Sequence, residues 1–218
     1  MAVYINPILL DKLFLPIKPS EKKKLKIDYE SLYSITLPQT SNEIVHLIIE
    51  YLTKEKIDYK LSTIIDATAG VGGDTISFSF HFKKVYSIEI NSIRYSFLVN
   101  NLNIYNIKNV VTYNNSYLDI INNLNADVIF LDPPWGGRSY KHIENLKLYL
   151  DNKPIEKVCL DILFKNVPPK LIVLKLPNNY YFENFDVYNL IVKKHTLYKI
   201  TIIIIDVNEN LKQLSKKI

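Results

Sequence analysis

Four apolar residues, Val128-Ile129-Phe130-Leu131, run straight into Asp132-Pro133-Pro134-Trp135-Gly136-Gly137. The run is too short for a helix and is bounded by turn residues, so it predicts a buried parallel strand. Two prolines end the ladder and stiffen the turn, and two glycines let the backbone come close to a ligand. Trp135 is the sole tryptophan of the chain. An acid, a rigid turn and a large π face then stand at the carboxyl end of a strand, where open α/β sheets bind ligands. A tight strand-to-helix turn with a buried tryptophan is the structural alternative.

Such a strand needs parallel neighbours, and the chain supplies them from Leu61 onward. Apolar runs at 62–66, 84–88, 110–113, 128–131 and 171–176 alternate with helical patterns at 74–82, 92–103, 117–123, 142–150 and 155–164. That alternation is the mark of a parallel sheet with crossover helices. The stretches 185–194 and 197–206 follow with no helix between them, which predicts an antiparallel hairpin closing the sheet. Residues 1–60 read differently. Residues 21–24 are a charge run, 28–33 a short helical turn, and the residues before Pro38 are extended. Thr40 or Ser41 then caps a helix with Glu43 in its first turn and Ile44, Leu47, Ile48 and Tyr51 on one face. The expected organisation is a small N-terminal helical lid subdomain (1–60), a main domain (61–207) and a polar, frayed tail (208–218).

Composition bounds the partners. A net charge of +5 and a pI near 9.0 suit a polyanion such as nucleic acid. A lone cysteine, Cys159, rules out an internal disulfide and a Cys-rich zinc site. His46, His81, His142 and His195 lack ligand spacing, so no metal is expected. No stretch reaches the roughly 18 apolar residues of a spanning helix, and Met1 to Leu10 lacks the basic start of a signal peptide. The expectation is a monomer with no membrane partner, intracellular in cytoplasm or nucleus, or a viral protein acting in the host cell.

Asp66, then Gly70-Val71-Gly72-Gly73, then a helix, then Glu89 at the end of the next strand form a nucleotide-cofactor arrangement. The glycines let the backbone approach the ligand, and a carboxylate at Glu89 can grip both hydroxyls of a ribose. Turns this rich in glycine also serve packing. There is no G-x-G-x-x-G and no G-K-[ST], so neither a dinucleotide nor a triphosphate loop is expected. With an antiparallel end to the sheet, this pattern resembles the Rossmann-like, seven-stranded α/β sheet of the S-adenosylmethionine-dependent methyltransferases. That resemblance implies S-adenosylmethionine as cofactor and S-adenosylhomocysteine as product.

The D-P-P-W element narrows the resemblance to enzymes that methylate nucleobase nitrogens. An exocyclic amine has its lone pair delocalised into the ring and is a poor nucleophile. A carboxylate and the carbonyl of the first proline can accept its two N–H bonds and free the lone pair, while an aromatic ring holds the base. Asp66-Ala67-Thr68-Ala69-Gly70-Val71-Gly72-Gly73-Asp74-Thr75-Ile76, Pro133 to Tyr140, and Leu176-Pro177-Asn178-Asn179 together resemble the trimethylguanosine synthase family. Tyr33-Ser34-Ile35-Thr36 is similar to that family's S-V-T-P element, so the likeness runs from about Leu13 to Asn179. It implies transfer to the 2-amino group of a 7-methylguanosine RNA cap, and capped RNA as partner. It implies catalytic roles for Asp132, Pro133 and Trp135. It implies cofactor contacts from Thr36, Asp66, Thr68, Gly70, Gly72, Asp74, Thr75, Glu89, Ser116 and Asp132. It implies substrate contacts from Trp135, Arg138, Tyr140, Lys175, Asn178 and Asn179, with Trp135 stacked on a cationic base.

Three departures matter. Asp132 stands where the family often has serine, as in adenine-amine methyltransferases. Asn115-Ser116-Tyr117 replaces a G-D-F element, and Asn178 replaces the basic residue of L-P-R-N. The cap phosphates then need other partners, for which Lys175, Arg138 and lysines 22–24 are candidates. The rival readings are an adenine-N6 or ribosomal-RNA guanine-N2 methyltransferase, and a catalytically dead module that binds cap or RNA. Intact Asp66, Gly70, Gly72, Glu89 and Asp132 stand against the dead module.

Overall fold

The computed structural model describes residues 6–215. It divides into two compact units, Met1–Tyr117 and Leu118–Ile218. What the sequence places at residues 1–5 and 216–218 lies outside the described residues.

The first unit begins with α1 (Pro7–Leu13), α2 (Pro19–Lys22), α3 (Ser31–Ser34) and α4 (Pro38–Lys54). The start of α4 differs from the expected Thr40 or Ser41 cap. Pro38 takes the first helical turn, and extended Leu37 stands at the cap position with no side-chain bond. Proline's fixed φ and missing N–H suit that place, so no polar cap is required. Ile44, Val45, Ile48 and Leu52 form the buried stripe of α4. β1 (Thr63–Asp66), α5 (Gly73–Ser79), β2 (Lys84–Ile88), α6 (Ser92–Ile104) and β3 (Val110–Tyr113) follow. The three strands are parallel, with Thr63 opposite Lys84 and Ile88 opposite Tyr113.

Leu10, Leu13, Phe14, Leu25 and Ile27 pack with Ala69, Val71, Ile76, Phe97, Leu98 and Leu102, so the N-terminal segment shares a core with the glycine turn. Asn101 lies fully buried in that region. Its amide donates to Lys26 O at 2.8 Å and Val71 O at 2.9 Å, and its oxygen accepts from Lys26 N at 2.8 Å.

α7 (Tyr117–Ile120) leads into the second unit, which contains β4 (Val128–Leu131), β5 (Tyr149–Leu150), β6 (Lys153–Pro154), α8 (Ile155–Leu163), β7 (Leu171–Pro177), α9 (Asn184–Val187), β8 (Lys193–Leu197), β9 (Ile200–Asp206) and α10 (Val207–Leu214). Every residue of β4 and β7 is buried. β4 runs parallel to β7, and β9 pairs antiparallel with both β7 and β8. The strand order β3-β2-β1-β4-β7-β9-β8 makes the expected seven-stranded, mostly parallel α/β sheet, with β9 alone reversed.

Three local expectations are corrected. Residues 142–150 are not helical. A 3-10 turn over Gly137–His142 is followed by the β5–β6 hairpin, in which Leu146, Leu148 and Leu150 are buried while Lys147 and Tyr149 are exposed. That is a period of two, and Asp151 and Asn152 both adopt the positive φ that a tight hairpin turn demands. The stretch 185–194 is not a strand: it holds α9, and β8 starts only at Lys193. The polar tail is helical over Val207–Leu214, because Asp206 accepts from Glu209 N at 3.0 Å and caps it.

Asn101→Ala should strip partners from three backbone groups at once. A buried orphan costs about 1–3 kcal/mol; the Val71 bond is buried and the two to exposed Lys26 only in part, so a loss of roughly 2–4 kcal/mol is expected in urea unfolding. An unchanged midpoint would contradict the role given to this residue.

Candidate active site

One candidate cluster, in the first unit, grows from the end of β1. Asp66 is 1% exposed, and a buried carboxylate must find donors. Thr75, on α5, donates its hydroxyl to Asp66 Oδ2 at 2.5 Å, and that hydroxyl also lies 2.7 Å from Ser87 Oγ on β2. Thr68 N lies 3.4 Å from Asp66 Oδ1. Asp66 and Thr75 therefore hold strand, turn and helix together. Gly72 caps α5 at φ +100, and a Cβ there would stand 2.9 Å from Leu98 Cδ1. Gly70, at φ +55, would place a Cβ in open space with nothing within 4 Å. The turn thus closes on the core at Gly72 and stays open at Gly70.

Glu89 follows β2 and is largely buried. Its two oxygens accept from Gly70 N and Asn91 N, both at 2.8 Å. Each oxygen keeps further lone-pair capacity. Burial raises the Glu89 carboxyl above the usual carboxylate range, while the Asn91 and Gly70 bonds and the nearby Arg94 charge act against that rise. Thr36, in the extended stretch before α4, donates to Asp74 Oδ2 at 2.5 Å. Asp74 Oδ1 is buried with no hydrogen-bond partner among the described residues. An acceptor left this way is what a ligand N–H or O–H would satisfy. Together with the opening at Gly70 and the capacity of Glu89, it fits a nucleoside carrying an amino-acid part. Ser116 is buried after β3, and Asn114 ties that segment back by donating to Glu89 O at 2.8 Å.

Another candidate cluster, in the second unit, grows from the end of β4. Lys175, on β7, donates to Asp132 Oδ2 at 2.6 Å, with side-chain exposures of 7% and 17%. The same ammonium lies 5.3 Å from the Trp135 ring centroid. Tyr140 meets Trp135 edge to face, with centroids 5.1 Å apart. Trp135 Nε1 is buried without a hydrogen-bond partner among the described residues. Gly136 and Gly137 both have positive φ and open space at their Cβ positions, so the chain turns here without steric cost.

Asn179 donates to Tyr140 O at 2.7 Å and Ile143 O at 2.8 Å. It thereby holds the 3-10 turn that carries Tyr140. Asn178 spends its amide elsewhere, donating to Tyr198 O at 3.0 Å and accepting from Thr201 at 2.9 Å. Arg138 is exposed, Pro133 is buried, and Lys175 is buried in an ion pair rather than solvated. Cys159 is fully buried and burial pushes its thiol up, so it offers no nucleophile. Among the described residues no helix is long and apolar enough to cross a membrane.

Two functional features escaped the sequence. One is the Asn101 clamp on the glycine turn: an asparagine within an apolar helix face was the available signal. The other is the Lys175–Asp132 pair, which joins residues far apart in sequence and leaves no local pattern.

Known proteins resemble this chain in sequence and in fold. Residues 61–217 match the sequence profile of the RNA cap guanine-N2 methyltransferases. An uncharacterized protein of Acanthamoeba polyphaga mimivirus is 36% identical over 214 residues, covering 88% of this chain and 83% of its own length. The trimethylguanosine synthase of Schizosaccharomyces pombe is 32% identical over 146 residues, 64% of this chain and 56% of that protein. Two solved structures share the fold. One is a putative methyltransferase from Streptococcus mutans in complex with SAH (TM-score 0.53, 17% identity, 74% of this chain and 97% of that one). The other is a Thermus thermophilus hypothetical protein (TM-score 0.61, 11% identity, 91% and 98%).

Glu89 generates a prediction on S-adenosylmethionine, the cofactor implied by the resemblance. Because burial raises its carboxyl, affinity should fall as pH drops through that raised value, where exposed carboxylates are still ionised. Glu89→Gln should weaken binding roughly tenfold or more, since charge-assisted hydrogen bonds are worth about 1.5–3 kcal/mol each, and should flatten the pH profile. Calorimetry across pH checks it. Unchanged affinity in the variant would remove Glu89 from the site.

Proposed function

Because the chain belongs to the RNA cap guanine-N2 methyltransferase family, we propose that it methylates the exocyclic 2-amino group of a 7-methylguanosine RNA cap, with S-adenosylmethionine as donor. The observation that carries the reading is the cluster at the end of β4: an acid, Asp132, beside the sole tryptophan, Trp135, with Tyr140 packed against its edge.

In this reading the glycine turn and its acids hold the cofactor. Glu89 takes the ribose hydroxyls, Asp74 Oδ1 accepts a polar hydrogen, and the open Gly70 backbone admits the body of the ligand. S-adenosylmethionine supplies a methyl group made electrophilic by its sulfonium. The second unit holds the amine. The Asp132 carboxylate and the Pro133 carbonyl accept its N–H bonds and turn the nitrogen lone pair out of conjugation. Trp135 stacks on the base, whose positive charge adds a cation–π contribution. Asp132 is also the acceptor in this half-site for the proton that nitrogen sheds. The protein's contribution is positioning for direct displacement, with no covalent intermediate. Residues 1–60 serve as a lid subdomain to the domain over 61–207, joined to the cofactor turn through Thr36 and Asp74. Capped RNA inside a cell is the partner.

Asp132 in place of serine is the feature that favours the second reading, an adenine amine as target. Trp135 fluorescence separates the two, since no other tryptophan contributes. With S-adenosylhomocysteine present, 7-methyl-GTP should quench more tightly than GTP by about two- to thirtyfold, from roughly 0.5–2 kcal/mol of added stacking. By calorimetry, Trp135→Ala should abolish most nucleotide binding and Trp135→Phe retain part of it. Asp132→Ala should reduce turnover far more than affinity. Equal quenching by both nucleotides, or none by either, would overturn the cap reading.

A further inference from the structure

Lys175 stands on β7 two residues before Pro177, within a strand whose every residue is buried. Its exposure and partners are not those of a surface clamp for phosphate. The side chain is 7% exposed, its ammonium is 2.6 Å from Asp132 Oδ2, and the same charge sits 5.3 Å from the Trp135 ring centroid. Withdrawing a lysine from water is costly unless its charge is met, and here the Asp132 carboxylate meets it. The arrangement therefore sets one ammonium against both an anion and an aromatic ring at the place assigned to the target base.

We infer that Lys175 is a specificity and positioning residue: its ammonium offsets the Asp132 charge beside Trp135 and so limits how strongly the protein prefers a cationic base to a neutral one. The inference rests on the cap reading above. A base that stacks on Trp135 and donates to Asp132 experiences both charges. A 7-methylated guanine is attracted by the carboxylate and repelled by the ammonium, whereas a neutral guanine responds little to either. With Lys175 in place the two effects oppose each other, and discrimination rests on the indole face. The charge on the base belongs to its 7-methylated ring, so it is present before and after the 2-amino group is methylated. An unopposed carboxylate would hold substrate and product alike, and such uniform binding does not raise turnover. The ion pair also fixes the rotamer of Asp132, and with it the direction in which the carboxylate accepts.

Four proteins test this: the wild type, Lys175→Met, Asp132→Asn and the double variant, each titrated with 7-methyl-GTP and GTP in the presence of S-adenosylhomocysteine. The preference for 7-methyl-GTP should be greatest in Lys175→Met, roughly tenfold above wild type. It should be close to wild type in the double variant and lowest in Asp132→Asn, where the ammonium is unopposed. Lys175→Met should also lower both KM and kcat, and Lys175→Arg should restore the wild-type preference. Melting temperatures show which variants fold. The double variant leaves no unpaired charge of this pair and is the control, and Lys175→Gln takes the place of Lys175→Met if that variant does not fold. A wild type that prefers 7-methyl-GTP while folded Lys175→Met shares its preference overturns this inference alone. A wild type that binds neither nucleotide overturns the cap reading and the inference with it.

Discussion

A carboxylate taken out of water has to be met by donors, and that demand arranges the glycine turn of the first unit and the end of β4 in the second. Asp66 draws Thr75 onto itself, and Thr75 reaches Ser87 on the neighbouring strand. The start of α5 is fixed by those bonds, and with it the glycine turn. Glu89 draws in the backbone of Gly70 and Asn91, which sets the turn's open face. Asp74 draws in Thr36 and so binds the N-terminal segment to the same turn. In the second unit Asp132 draws in Lys175, and that ion pair decides what charge stands beside Trp135. Remove any of these acids and its donors lose their reason to converge.

The chemistry asked of such a site is modest in covalent terms and strict in geometry. Direct displacement needs no nucleophile from the protein, which agrees with a buried, inert Cys159. It needs a poor nucleophile to be turned and held, and the residues that do so must themselves be held. Asn179 anchors the turn that carries Tyr140, and Tyr140 packs against the edge of Trp135. Asn101 does the corresponding work in the first unit, where it clamps Lys26 and Val71. Neither asparagine has to touch a ligand to matter, because each ties together backbone groups of separate segments, Asn101 at buried Val71 O and Asn179 across the turn after β4.

The strand ends and the glycine turn were legible in the sequence because their causes are local. Four apolar residues before two prolines can only end a buried strand, and Gly72 needs φ +100 where a Cβ would strike Leu98. The parallel sheet followed from alternation, and its antiparallel end from two apolar stretches with no helix between them; the order of the strands is seen only in the structure. What failed was also local, but ambiguous. Residues 142–150 carry apolar groups compatible with a helix, and the signal that decided otherwise was the pair of positive φ angles at Asp151 and Asn152. The first half of 185–194 looked extended because its aromatic and aliphatic residues suit either state. Polar α10 looked frayed because the weight of its Asp206 cap was overlooked. The part of the site that no sequence pattern exposed is the pairing of Lys175 with Asp132. It depends on how β4 and β7 align, with Val128 opposite Leu171, and only that register brings their carboxyl ends together.

The central claim is the identity of the accepting nitrogen. Purified protein should be incubated with S-adenosylmethionine and, separately, 7-methyl-GTP, GTP and adenosine-containing oligonucleotides. The products are then digested to nucleosides and the methyl position assigned by mass spectrometry against standards. One or two methyl groups are expected on the 2-amino nitrogen of 7-methylguanosine, at far higher yield than on any other base. Methyl groups on the 6-amino nitrogen of adenine, or equal yield on guanine without the 7-methyl group, would contradict it.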